Sequence, residues 1–144
     1  MIKEFDTMFP RCLYVANDTN YNELTDMFDL FIPDSEKSVP EGEEWINENT
    51  FGKQIAATVY LAKEKKNGNV GYLVILNEKE INEDTCVHEA SHVLTHLEKY
   101  FGLESGAQEY RAYTMEWITR KIREAWKEYE DKNDKKDDTQ PVAE

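Results

Sequence analysis

Two cysteines, six glycines and four prolines are all that this chain of 144 residues contains of each, and histidine is scarcer than glycine, with three. Cys12 and Cys86 are far apart, lie in apolar stretches and form no CxxC pair, so a disulfide framework and a cysteine-based zinc knuckle are both excluded as organising principles. Reduced, buried cysteines are the expectation, and with them a cytoplasmic protein. Basic residues are also few. Seventeen lysines and arginines face thirty acids, giving a formal charge of −13, which argues against a protein that tracks nucleic-acid phosphates or adheres to anionic membranes. No apolar run approaches the roughly eighteen residues of a membrane span, and the opening MIKEFDTMFPRC has no signal-peptide core. The length suits a single domain with its own core, assigned to residues 1–130. The charged run 131–144 has no apolar periodicity and is expected to be disordered.

What is present is an α+β pattern. Residues 11–16 read as a strand, ended by the polar cluster Asn17-Asp18-Thr19-Asn20. A short helix follows from Asn20 to about Phe28, with Glu23 placed for a capping box. Residues 33–54 hold two prolines, two glycines and many acids, which predicts an exposed loop with a helical turn near Trp45 and Ile46. Residues 58–62 and 72–76 are apolar runs around Asn67-Gly68, the signature of a β-hairpin, and the second, more hydrophobic run is expected to lie against the helices. From about residue 82 to 101 the period becomes helical, with Val87, Ala90, Val93, Leu94, Leu97 and Phe101 on one stripe. Gly102 is placed to cap that helix, and Ser105 to Gln108 reads as a capping box opening a long aromatic-rich helix. The architecture expected is a small sheet, strand plus hairpin, packed on these two helices.

Two of the three histidines stand in His88-Glu89-Ala90-Ser91-His92, an H-E-x-x-H match. Residues four apart share a helix face, so His88 and His92 can offer two imidazole nitrogens to one ion, and Glu89 is placed to take a proton from water as general base. The metal implied is one zinc ion, and catalytic zinc takes three protein ligands and keeps one open position. Glu109 is the candidate third ligand, because the short GLESG turn returns the first turn of the last helix toward the HEASH helix. A first-turn glutamate also suits the helix dipole without any metal. His96 extends the row by four residues, but it is eight from His88, ~12 Å along the axis, too far to share its ion.

These residues resemble the zincin metallopeptidases, in particular the gluzincin branch, whose H-E-x-x-H is followed by a glutamate on a later helix; residues 70–125 carry the likeness. Small HExxH proteins of tailed phages are similar more loosely, through size, acidity and the run HEASH to Glu109-Tyr110-Arg111-Ala112-Tyr113. The resemblance implies a minimal zincin-like fold, a peptide or protein substrate, and a strand ahead of the metal helix, here residues 72–76, along which an extended substrate pairs. It also marks a departure: where gluzincins place an aspartate to orient a histidine, this chain has Tyr113, so Tyr113, Glu116 or a backbone carbonyl takes that task. Tyr113 and Tyr110 are candidates for stabilising an oxyanion. The leading expectation is a zinc metallopeptidase or related amide hydrolase, and the alternatives are a non-catalytic zinc protein or an acidic partner-binding protein.

Overall fold

The computed structural model describes residues 1–139 except 8, 36, 78–80 and 102–107, and the side chains of those residues except 108–109 and 134–139. Among them run β1 (Ile2–Phe5), β2 (Cys12–Asn17), α1 (Tyr21–Met27), β3 (Phe28–Phe31), α2 (Glu43–Thr50), β4 (Ala57–Glu64), β5 (Val70–Leu76), α3 (Glu83–Phe101) and α4 (Gln108–Thr139). The fold is α+β. One mixed sheet has the order β1-β2-β5-β4-β3, with β2 and β5 parallel and every other pair antiparallel.

Local chemistry accounts for several elements as expected. The Asn20 side chain accepts from the Glu23 backbone N–H and opens α1. Gly68, at φ +75°, makes the β4–β5 turn with its N–H bonded to the Glu64 carbonyl. Asn82 accepts from the Thr85 N–H at the start of α3. Residues 102–107, where the Gly102 cap and most of the Ser105 capping box were expected, lie outside the described residues.

Both faces of the sheet are covered. Leu13, Val15, Tyr72, Val74 and Leu76 pack against Cys86, Ala90, Val93 and Leu97 of α3 and Ile118 and Ile122 of α4. Tyr14, Ala16, Leu73 and Ile75 pack on the other side against Leu24 of α1 and Ile46 of α2. Two-sided burial explains why β5 reads as an unbroken apolar run. It also corrects its expected role. β5 is paired to β2 on one side and β4 on the other, so its backbone is closed to an extended substrate.

Three further differences have physical causes. The segment read as a loop with one turn holds the eight-residue helix α2, because Ile46 and Thr50 are buried against the sheet. Strands β1 and β3 have four residues each, too short for an alternating pattern to register, and β3 begins at the residue that ends α1. The last helix continues to Thr139 rather than ending near Tyr129; Lys132 pairs with Glu128 one turn back, an i,i+4 contact that supports the helix there.

Candidate metal centre

The helix α3 is clamped on one flank by α4. Arg123 donates to Glu83 at 2.7 Å near one end, and Arg111 donates to Glu98 at 2.7 Å near the other, so the helices run antiparallel. At about 100° per residue, His88 and His92 point roughly 140–180° around α3 from Glu83, away from α4. The helix α3 lies over β4, whereas α4 lies over β2.

On this open side the two imidazoles converge. His88 Nε2 and His92 Nε2 are 3.1 Å apart, and both side chains are exposed. Two nitrogens each ~2.05 Å from one tetrahedral ion would stand about 3.3 Å apart, so the pair is set as two zinc ligands require. The donor chemistry fits the ion. Val87, expected in the seam, is instead 45% exposed; the seam runs through Cys86, Ala90, Val93 and Leu97.

Glu89 is the unusual member, with 6% exposure beside two exposed histidines. Burial pushes its carboxyl pKa up, and the opposing pull comes from His92 and His88. A carboxylate held this way is a better proton acceptor than an ordinary surface glutamate.

The third ligand is less well placed. Among the described residues no histidine, cysteine or carboxylate joins His88 and His92 as a compact donor group. The side chain of Glu109 lies outside the described residues. Its near neighbour Arg111 is level with Glu98, six residues beyond His92 and ten beyond His88, or about 9–15 Å of helix rise. Tyr113 is 70% exposed, lies about 200° around α4 from Arg111, and lines a cavity with Leu97 of α3 rather than with the two histidines. Glu116 is exposed on α4 and shares a cavity with Tyr113.

His96 is half-buried and engaged. Its Nδ1 is 2.9 Å from Asp34 Oδ1, and its ring stacks on Tyr72. The buried Arg11 donates to the Tyr72 hydroxyl at 2.8 Å and lies 3.3 Å from the centre of the Tyr100 ring. Together with Lys99 these side chains line a polar cavity of about 330 Å³, one turn beyond His92 on α3. Sequence reasoning missed Asp34 and Arg11, which reach this place through long-range packing; the four-residue spacing of His96 after His92 was the one available hint. A separate compact set, Glu4, Asp6 and Cys12, occurs at the β1–β2 hairpin. Burial and the neighbouring Glu4 push the Cys12 thiol up and away from the thiolate that binds metal.

No protein-family model, curated protein or solved structure matches the chain. The assignment of the site therefore rests on its own residues.

Proposed function

We propose that the chain is a zinc-dependent amide hydrolase in which His88 and His92 hold one ion and Glu89 is the general base. The carrying observation is the 3.1 Å approach of the two Nε2 atoms on a face left open by α4, with a buried carboxylate beside them. When bound, zinc polarises a carbonyl and lowers the pKa of water toward about 7. Glu89 accepts a proton from the attacking water and returns it to the leaving nitrogen, a task helped by the burial that raises its proton affinity. Glu109 remains the candidate third ligand of this reading. Because β5 is closed to strand addition, the reading narrows from extended polypeptides to short peptides or compact amides, with the cavity at Arg11, Tyr72 and His96 next to the histidines on α3. The two cysteines form no disulfide and no described helix is long and apolar enough to cross a membrane, which supports a cytoplasmic assignment within the proposal.

A second reading, a zinc protein without turnover, is favoured by the lack of a third donor among the described residues. Metal content and hydrolysis of a short-peptide and amide library, measured on the native chain and on Glu89→Gln, separate the two. Metal in both with hydrolysis only in the native chain supports the enzyme. Metal in both with hydrolysis in neither supports the second reading, and hydrolysis unaffected by the substitution removes Glu89 as base.

A further inference from the structure

Beside the polar cavity at His96 lies a second hollow of about 240 Å³, and the two share Arg11 and Tyr100. The sheet makes its floor. Leu61 and Lys63 are two apart on β4 and so point to the same face, and their cross-strand partners, Phe31 of β3 and Val70 of β5, extend that patch. Leu61 is buried, Phe31 and Val70 are half-buried, and Tyr100, in the last turn of α3, borders the hollow while 52% exposed. An apolar cavity of about 150 Å³ already holds benzene, so there is room here for one substituted ring.

Its charge runs against that of the molecule. The chain has thirty acids against seventeen lysines and arginines, yet the described residues lining this hollow include two cations, Arg11 and Lys63, and no acid. Arg11 is engaged: it donates to the Tyr72 hydroxyl, and its guanidinium lies 3.3 Å from the centre of the Tyr100 ring, which holds that exposed tyrosine in place. Lys63 is exposed, and Asp29, which faces it across the β3–β4 pairing, lies 3.9 Å from Lys65 instead. An apolar floor, a fixed aromatic ring and an ammonium at the edge suit a flat ring carrying a single negative charge. A neutral ring would leave the positive potential unused, and a multiply charged phosphate would need more donors than Lys63 supplies in a chain of net charge −13. Asp34, in the neighbouring cavity, turns the anion toward Lys63.

We propose that this hollow binds a small aromatic monocarboxylate, its ring packed against Tyr100 and the Phe31–Val70 floor and its carboxylate paired with Lys63. The site needs no zinc, so the test uses the zinc-free full chain, and its failure would leave the reading of His88 and His92 untouched. A matched pair of probes serves: benzoate carries the charge, and benzamide has nearly the same shape without it. In a ¹H–¹⁵N titration at low salt, benzoate is expected to saturate with a Kd on the order of 1 mM, shifting the Lys63 and Val70 amides. It should bind about fivefold more tightly than benzamide, a preference that fades in 1 M salt, where charges are screened beyond about 3 Å. Lys63→Gln, at an exposed position, should bring the two probes to equal affinity and leave benzamide binding unchanged. Tyr100→Ala should weaken both probes by about tenfold. Shifts that do not saturate, equal affinity of the two probes for the native chain, a preference that survives Lys63→Gln, or binding indifferent to Tyr100→Ala would each overturn the proposal.

Discussion

On the proposed reading, zinc should stabilise the native chain through a site that needs both His88 and His92. A ligand that binds only the folded state adds RT ln(1 + [L]/Kd), about 2.7 kcal/mol when free zinc is a hundred times its Kd. For a chain of this length each kcal/mol moves the melting temperature by about 4 °C, so the expected rise is about 10 °C. The two imidazoles are exposed and project away from the buried seam, so His88→Ala and His92→Ala should change zinc-free stability by about 0.5 kcal/mol or less, about 2 °C in melting temperature, while abolishing the rise. Glu89→Gln should keep the rise. It should also match or exceed the native chain in zinc-free stability near neutral pH, because its amide carries no charge to desolvate. The pH dependence follows from the raised carboxyl pKa of Glu89. A carboxyl whose folded pKa lies above its unfolded value penalises folding once pH exceeds the unfolded value, and the penalty grows until the folded pKa is passed. Zinc-free native protein should therefore lose stability across that window relative to Glu89→Gln. Thermal melts by circular dichroism, with chelator or with zinc, read all of this. A native chain indifferent to saturating zinc, or a His88→Ala variant that retains the full rise, would refute the metal site.

Two further outcomes test the frame that holds the site. A Cβ at Gly71 would stand 2.4 Å from the Cys12 carbonyl oxygen and 2.7 Å from the Tyr14 ring, at the parallel β2–β5 pairing, so Gly71→Ala should cost on the order of 3 kcal/mol, read as a lower urea midpoint. Glu109→Ala should lower zinc affinity by more than about a hundredfold by calorimetry; a change of less than about threefold, as the place of the Arg111–Glu98 pair well along α3 from the histidines would give, removes Glu109 as a ligand.

What could be read from the sequence was what neighbours in the chain decide. The Asn20 cap, the turn at Gly68 and the convergence of His88 with His92 all arise within five residues, where helix and hairpin geometry leave few choices. Residues 72–76 were also identified as a strand, but their place in the sheet was not, because a strand apolar on both sides does not state which strands will flank it. β1 and β3 were missed for a related reason: four residues carry one or two inward positions, and their pairing with β2 and β4 gives them their identity.

Whether a residue of α4 can reach the histidines turns on a quantity the sequence does not contain, the angle around α3 at which α4 docks. A short connection between two helices requires that they be neighbours, and it was this requirement that made Glu109 attractive. Neighbouring helices can still meet on any flank. Here Glu83 and Glu98 turn toward Arg123 and Arg111, and the buried stripe of Cys86, Ala90, Val93 and Leu97 faces the sheet, so two sides of α3 are already committed. His88 and His92 occupy what remains. Among the described residues, Asp34, from the segment after β3, reaches a histidine of this row, His96. That segment is therefore a place to seek a third donor to the proposed zinc by substitution, alongside Glu109.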